Sequence, residues 1–397
     1  MIWDPALLDY LVPPKDGQAS QIMTKKLIMS GKTHTKEHAP DYLILFSTGF
    51  LVLFGLFILS SASAHLGQQD FGDSYYYLKH QIYYGLLLGF LGFLITSKIY
   101  YGFWRKRWVS LTLFALSIGA LLLVFTPLGL TAKGATRWID IAGLSLQPSE
   151  FLKLTLVIYL ATWLSSKDFR NKSFRSGYIP FVLIIGLVSL ILFIQHSTSP
   201  VVILVMAALV MYFMSGAKWR YVLGTIVVGV AVLALIIANT QYRSDRFLSY
   251  LTPEADPRGA GYHVIQATTA IGAGQLTGVG YGQSIVKYRL PEPIGDSIFA
   301  VIAEEFGFIG VLVLLTVFGA LILKIFLLAR SMTDTFGRLL LVGFGSILAI
   351  QTFVNIGAMT GILPLTGTPL PFISYGGTAL MVYLTMMGVV VNVSKYH

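Results

Sequence analysis

An aspartate, Asp296, stands at the start of a long apolar run, and Lys287 lies a few residues before it. A carboxylate at the mouth of an apolar cavity is a natural general base, because it can take a proton from an attacking hydroxyl group. The alternative is a helix N-cap, a role that Asp fills well. Glu304 and Glu305 lie deeper in the same run, and at least one must face the protein interior because apolar surroundings disfavour an exposed carboxylate. From its position alone, Asp296 can be either an N-cap or a general base.

A second set of charges, Arg137, Glu150 and Lys153, surrounds the start of another apolar run. Pro148 predicts that a helix begins there, since Pro is tolerated in the first turn. Glu150 and Lys153 are three residues apart and therefore share one face of that helix. They either form a local ion pair whose Lys reaches toward water, or Glu150 holds Lys153 beside Arg137 in an anion-binding site. Charges within apolar segments usually face an interior cavity, which favours the anion site.

Two irregular segments contain further candidates. The interval 240–295 includes Arg243 and a glycine-rich segment, 272–284. Glycines let backbone amides approach a phosphate. However, no strand precedes this segment and no Gly-Lys-Ser/Thr ends it, so it is neither a Rossmann fingerprint nor a P-loop; a surface or re-entrant loop is the alternative. Residues 363–378, which include Ser374, interrupt an apolar stretch with three prolines and three glycines, and such broken segments usually line a cavity.

Membrane-spanning helices must position these residues. Only 12% of the 397 residues are charged and 55% are hydrophobic, whereas soluble domains carry about 25% charged residues. Runs of roughly 17–25 apolar residues can cross a bilayer as a helix. Ten spans are predicted, at 42–64, 79–97, 107–127, 149–165, 178–195, 199–215, 219–239, 296–328, 337–361 and 372–393. The predicted fold is all-α and polytopic, with one large loop, 240–295, between transmembrane helices seven and eight.

The basic residues orient this bundle. With the N-terminal tail inside, 19 of the 28 Lys and Arg residues fall in cytoplasmic segments, as the positive-inside rule requires. Both termini are therefore predicted to be cytoplasmic and the 240–295 loop extracytoplasmic. The net charge of +10 reports this topology and does not support nucleic-acid binding, and the absence of cysteine excludes disulfides and thiolate chemistry. Residues 1–40 contain no signal-peptide core and are predicted to be a cytoplasmic tail, followed by a transmembrane domain over 41–397.

Four sequence blocks resemble the SEDS family (shape, elongation, division and sporulation), which includes FtsW and RodA. The resemblance covers residues 40–393 in order. Its most specific block runs from Asn355-Ile356-Gly357 through Pro369-Leu370-Pro371-Phe372-Ile373-Ser374-Tyr375-Gly376-Gly377. The other blocks are 134–138 with 147–150, 256–257 with 261–262, and 290–292 with 296–307. We therefore expect the fold and activity of that family.

The resemblance implies a peptidoglycan glycosyltransferase that polymerises lipid II at the outer face of the cytoplasmic membrane, with undecaprenyl diphosphate as the leaving group. Asp296 matches the family's catalytic aspartate and is expected to deprotonate the acceptor hydroxyl group. Direct displacement would invert the anomeric centre and needs one base, with cations stabilising the leaving group. The residues expected around the substrate diphosphate are Arg137, Glu150, Lys153, Arg243, Lys287 and Ser374. No cofactor is required; Mg²⁺ or Mn²⁺ at the diphosphate is an open alternative, although no dense ligand motif demands it.

The chain departs from the family pattern at two points. Residues 195–200 read Gln-His-Ser-Thr-Ser-Pro where the family usually has a Pro-Asp-Leu-Gly-Thr-like segment, so a carboxylate is absent there. His196 is either a compensating polar group or an ordinary loop histidine. Ile294-Gly295 precedes Asp296 where many members carry His-Thr or His-Ser. The expected base therefore has no histidine next to it in sequence.

Within the family, residues 38–42, 261–263 and 291–296 look more similar to the division branch, FtsW, than to the elongation branch, RodA. The division branch implies a class B penicillin-binding protein and divisome proteins as partners. The alternatives are an elongation polymerase, a lipid II flippase and a structural scaffold of the divisome. A flippase needs substrate contacts at both leaflets, whereas the polar residues here are concentrated in the predicted outer loops. This asymmetry favours the enzyme.

Overall fold

A computed structural model of the chain describes residues 38–132, 135–141, 144–166, 174–239, 250–252, 254 and 261–396. Its helices are α1 (Tyr42–Phe71), α2 (Tyr76–Lys98), α3 (Arg107–Leu123), α4 (Pro148–Leu164), α5 (Phe174–Ile194), α6 (Thr198–Met214), α7 (Trp219–Ala238), α8 (Tyr262–Ala273), α9 (Ile298–Ser331), α10 (Thr335–Met359) and α11 (Gly377–Ser394). Every predicted span coincides with one of these helices, and α8 is an additional short helix within the long loop. In this part of the chain, α1, α2, α5, α9, α10 and α11 are each long and apolar enough to cross a membrane. The prediction of a polytopic, mainly helical membrane protein is confirmed.

The segment after α3 folds as a small sheet that the all-helical prediction did not include. Its strands are β1 (Gly129–Ala132), β2 (Ala135–Ile141) and β3 (Leu144–Leu146), paired antiparallel in the order β1-β2-β3. Helix α3 ends at Leu123 rather than at the predicted residue 127, because Pro127 cannot continue a helix. Thr, Trp and Ile, which favour strands, make up most of β2. The sheet places Arg137 beyond the end of α3.

Helix α9 is divided by a break at Gly307, whose φ is +63°. Four backbone hydrogen bonds join the break to the loop at 275–280: Val279 N to Glu304 O at 2.9 Å, Gly280 N to Glu305 O at 3.0 Å, Phe308 N to Gln275 O at 2.8 Å and Ile309 N to Leu276 O at 3.0 Å. The loop thus takes up the donors and acceptors that an unbroken helix would pair internally. The sequence predicts one continuous span here, since the residues on both sides of the glycine are apolar.

The connections that follow α1, α3, α5, α7 and α10 meet at one end of the bundle. We call this end the loop face. It comprises the turn after α1, the sheet, the α5–α6 turn, residues 261–297 and the segment 360–376. Side-chain contacts join these parts: Tyr375 OH to His80 Nδ1 at 3.0 Å, Thr378 Oγ1 to Ser145 O at 3.4 Å, and His263 Nε2 to Ser297 Oγ at 2.6 Å. The loop face therefore gathers both of the charged regions that the sequence singles out.

Helix α2 packs closely on α11 through small residues. Its middle, Gln81–Leu87, is a π-helical stretch, and it is followed by Gly89 and Gly92, which face α11. On α11, a Cβ placed at Gly388 would lie 2.5 Å from the Phe93 carbonyl oxygen. Small residues let helix backbones approach each other in a membrane. This crossing fixes α11, and with it the residues that precede α11 on the loop face.

Replacing Gly388 with Val is expected to separate α2 from α11, because the added atoms meet the backbone of Phe93. Overpacking of this kind costs about 1–3 kcal/mol, so the thermal midpoint of the detergent-solubilised protein is expected to fall. Gly119→Val on α3 is the matched control, since a Cβ there meets nothing within 4 Å. Equal losses in the two variants would contradict the close crossing.

Candidate active site

Asp296 ends the turn that leads into α9. The helix N-cap is the next residue, Ser297, so the N-cap alternative for Asp296 is wrong. The Asp296 side chain is half-buried and faces Gly367, because a Cβ placed on Gly367 would lie 3.7 Å from its Oδ2. Gly367 has a φ of +64°, a conformation that glycine adopts without strain. The carboxylate therefore lies against bare backbone in the segment between α10 and α11.

Residues of α10 and of the segment after it hold the backbone around Asp296. The hydrogen bonds run from Asn355 Nδ2 to Asp296 O at 2.7 Å, from Ser374 Oγ to Gly295 O at 2.6 Å and from Tyr375 N to Ile294 O at 2.8 Å. Asn355 also donates to the carbonyl oxygen of Thr368 at 2.7 Å, so it links two irregular segments. Buried carbonyl groups need partners of this kind. The Ser374 hydroxyl group, expected at the substrate, braces the turn in this structure.

Glu150 and Lys153 form a buried ion pair at the start of α4. Lys153 Nζ lies 2.7 and 2.9 Å from the two carboxylate oxygens of Glu150, and only 1% of Lys153 and 2% of Glu150 is exposed. Lys153 therefore does not reach toward water. Its ammonium group also donates to Gln351 Oε1 at 2.8 Å, while Gln351 Nε2 donates to the Pro369 carbonyl oxygen at 2.8 Å. Through Gln351, the pair fixes residues close to Gly367.

Arg137 lies on β2 and is linked through the α5–α6 turn to the segment between α10 and α11. Its guanidinium group donates to the carbonyl oxygen of His196, in the turn between α5 and α6. Ser199, at the start of α6, donates in turn to the carbonyl oxygen of Thr366. A cleft of about 360 Å³ lies between the end of α3, the sheet and the α5–α6 turn. The structure thus connects Arg137 to the segment that faces Asp296, and leaves room beside it for a ligand group.

Lys287 lies in a separate buried cluster. Its ammonium group contacts Glu305 Oε1 at 3.2 Å, Ser61 Oγ at 3.2 Å and the Gly282 carbonyl oxygen at 2.8 Å. These partners hold Lys287 between its own loop, α1 and α9, and not on the turn that carries Asp296. Arg243, the remaining cation expected at the substrate, lies outside the described residues.

Both glutamates of α9 face the protein interior. Glu305 accepts from Ser61 Oγ at 2.6 Å in addition to Lys287. Glu304 accepts from the Ser284 hydroxyl group and from the amides of residues 285 and 286. The two carboxylates therefore bind the glycine-rich loop and the residues after it to α9, just before the break at Gly307.

Gln351, Asn355 and His263 organise the site although the sequence reasoning gave them no role. Gln351 and Asn355 are four residues apart on α10 and so share one face; two amide side chains on one face of an apolar helix were the available signal. His263 reaches Ser297, beside Asp296, from α8. The described contact of His263 is thus with the residue that follows Asp296, and not with the Asp296 carboxylate.

The described residues around Asp296 do not form a dedicated metal site. The described residues contain no group of three His, Asp or Glu side chains that could hold a metal ion. The polar groups nearest to Asp296 in the hydrogen-bond network, Asn355 and Ser374, are used by backbone carbonyl oxygens. Mg²⁺ is commonly held by one or two carboxylates together with substrate phosphates, and the turn 291–297 carries two carboxylates, Glu292 and Asp296.

Residues 41–397 match the family of cell cycle proteins that comprises FtsW, RodA and SpoVE. The chain belongs to this family. A curated relative, the probable peptidoglycan glycosyltransferase FtsW of Geobacter sp. (strain M18), is 38% identical over 356 residues, which are 89% of this chain and 96% of the relative. Membership of the FtsW/RodA/SpoVE family agrees with the resemblance carried by the four sequence blocks.

Two solved structures share the fold of this family member. A chain of a peptidoglycan synthase complex, described for its structural coordination of polymerization and crosslinking, has a TM-score of 0.73 and 27% identity and covers 90% of this chain and 98% of its own length. The rod shape determining protein RodA of Thermus thermophilus has a TM-score of 0.64 and 27% identity, again covering 90% of this chain and 98% of its own. The likeness spans nearly the whole helical bundle.

Lys153→Met is expected to destabilise the bundle strongly, because it leaves the buried Glu150 carboxylate without its counter-charge. Breaking a buried ion pair costs about 3–5 kcal/mol, which should appear as a large fall in thermal midpoint. The double variant E150Q/K153M is expected to recover most of the loss, since no buried charge remains.

An exposed pair on the loop face provides the control. Lys79 lies 2.8 Å from Asp73, and its hydrogen bond holds the pKa of that carboxyl below the ordinary value. Exposed pairs contribute little to stability, so Lys79→Met is expected to leave the midpoint unchanged. A Lys153→Met loss no greater than that of Lys79→Met would show that the buried pair is dispensable.

Proposed function

We propose that this chain is a peptidoglycan glycosyltransferase that polymerises lipid II at the outer face of the cytoplasmic membrane for septal wall synthesis. The observation that carries the proposal is Asp296, a half-buried carboxylate whose turn is held by α10 and the segment after it, in a chain of the FtsW/RodA/SpoVE family. The relative FtsW is named as a probable peptidoglycan glycosyltransferase. The distribution of Lys and Arg supports a loop face outside the cell and cytoplasmic termini.

Glycan extension requires one proton transfer and one displacement. Asp296 takes the proton from the acceptor hydroxyl group as the hydroxyl oxygen attacks the anomeric carbon of the donor. The bond between that carbon and the diphosphate oxygen breaks, and undecaprenyl diphosphate leaves with the bonding electron pair. A single direct displacement inverts the anomeric centre and needs one base rather than a retaining carboxylate pair. The position of Asp296 against the backbone of Gly367 supports such a single-base site.

The leaving diphosphate needs positive charge placed beside it in advance. We assign this role to Arg137, which lies near the cleft below the sheet, and to Arg243 in the long loop. The other residues expected at the diphosphate are buried and paired, which supports a role in holding the site together. They are Glu150, Lys153, Lys287 and Ser374.

Any divalent cation would accompany the substrate. The described residues offer no ligand cluster, whereas a diphosphate supplies several anionic oxygens, which Mg²⁺ and Mn²⁺ prefer as ligands. We therefore assign Mg²⁺ or Mn²⁺ to the substrate diphosphate and derive no step through it.

Crosslinking is expected to come from a separate protein. The related synthase complex coordinates polymerization with crosslinking, and we propose a class B penicillin-binding protein as partner here, together with divisome proteins. Relatives named FtsW that are 38–39% identical to this chain support division rather than elongation. Depleting this protein from its native cells is accordingly expected to give filaments or chains without septa, scored by microscopy; cells that round up while still dividing would instead indicate an elongation polymerase.

Asp296→Asn is expected to abolish lipid II polymerisation by the purified protein with its partner, because an amide cannot accept the hydroxyl proton. General-base catalysis contributes about 10²–10⁴-fold, so labelled glycan chains should fall by at least two orders of magnitude on a gel. Asp70→Asn, at an exposed carboxylate on the loop face that accepts from the Tyr77 hydroxyl group, is the control. Full product from Asp296→Asn would end the catalytic assignment. Transfer of lipid II between leaflets without any glycan product from the wild type would favour a flippase.

A further inference from the structure

His263 of α8 contacts the turn that carries Asp296. Its Nε2 lies 2.6 Å from the Oγ of Ser297, a residue 34 positions further along the chain. Ser297 is fully buried, with 0% exposure, and His263 is half-buried. The contact joins α8, in the long loop, to the residue directly after the expected base.

The donor in the contact between His263 and Ser297 can be assigned from the second partner of Ser297. Ser297 Oγ also lies 2.7 Å from the carbonyl oxygen of Pro291, which can only accept a hydrogen bond. The single hydroxyl hydrogen of Ser297 therefore points to Pro291, and His263 must donate from Nε2. A relay from His263 through Ser297 to Pro291 thus spans the whole turn 291–297.

Ser297 does not have the usual role of a serine at a helix start. An N-cap serine normally accepts from an amide of the first helical turn, yet Ser297 makes no side-chain cap bond. Within the turn, Glu292 has a φ of +51°, and its carbonyl oxygen accepts from the amides of Gly295 and Ser297 at 3.0 and 3.3 Å. The relay therefore adds a side-chain brace to a turn that contains one strained residue.

We propose that His263 is a positioning residue for Asp296, a role that rests on the proposed function. His263 braces the turn from the α8 side through Ser297, and Asn355 braces it from α10 by binding the Asp296 carbonyl oxygen. A displacement of 1 Å can cost about 100-fold in rate. Loss of the His263 brace is therefore expected to lower kcat by about tenfold, with little change in KM because Ser297 is fully buried.

The test is a double-mutant cycle on the full-length protein with its partner and lipid II. His263→Ala and Ser297→Ala are each expected to lower kcat by about tenfold, and the double variant no further, because both remove the same relay. His263→Gln is expected to keep most of the activity, since its side-chain amide can donate to Ser297. His65→Ala is the control: His65 is exposed on α1 and contacts the Tyr288 ring, with ring centroids 4.9 Å apart.

Three results would overturn the role of His263. They are a His263→Ala kcat within about twofold of wild type, additive losses in the double variant, and a His263→Gln variant as inactive as His263→Ala. If His263→Ala does not fold, as judged by its thermal midpoint, Ser297→Ala and His263→Gln still decide between these outcomes. An active Asp296→Asn would refute the proposed function itself, whereas an inactive Asp296→Asn beside an unaffected His263→Ala would remove this inference alone.

Discussion

A backbone group buried in a membrane bundle cannot form a hydrogen bond with water. The structure of the loop face depends on this constraint. Helices satisfy their own backbone groups, but the segments around Asp296 and Gly367 are irregular and need partners from elsewhere in the protein. Side-chain amides supply them. Asn355 binds two carbonyl oxygens, and Gln81 of α2 accepts from the amide of Gly376 at 3.0 Å and donates to the carbonyl oxygen of Ser374 at 3.4 Å. The position of Asp296 therefore depends on where these amide side chains lie on α2 and α10.

The two buried Lys–Glu pairs serve the same purpose and carry no net charge. Removing two charges from water costs roughly what their attraction returns, so such pairs are poor evidence for added stability. What they supply here is position: Lys153 orients Gln351, and Lys287 holds the loop that fills the break in α9. Because both cations are neutralised locally, the described cation that remains next to the cleft is Arg137. Arg137 therefore brings positive charge to the sheet side of the site.

The sequence alone predicts the spans, the helix start at Pro148 and the family, because hydropathy, proline geometry and specific motifs are all local signals. It does not predict the break at Gly307, since an apolar run continues through it. Nor does it predict that Lys287 pairs with Glu305 and not with a substrate, because an ion pair is decided by which loop packs against which helix. The sheet at 129–146 was missed because its strands are only three to seven residues long, so the segment was predicted to be an outer loop.

The hydrogen bonds that α10 and the segment before α11 provide to the turn of Asp296 are donated by residues that come later in the chain. This turn is therefore synthesised before these partners. Residues 294–296 leave the ribosome before Asn355, Ser374 and Tyr375, which later bind their carbonyl oxygens. Until α10 has entered the membrane and the segment before α11 has followed, these partners do not exist and the carboxylate has no defined place. The turn that carries Asp296 therefore has these partners only once the segment before α11 is in place. A nascent chain halted before that point is therefore expected to be inserted with the turn of Asp296 not fully braced, so the order of synthesis delays the assembly of this turn.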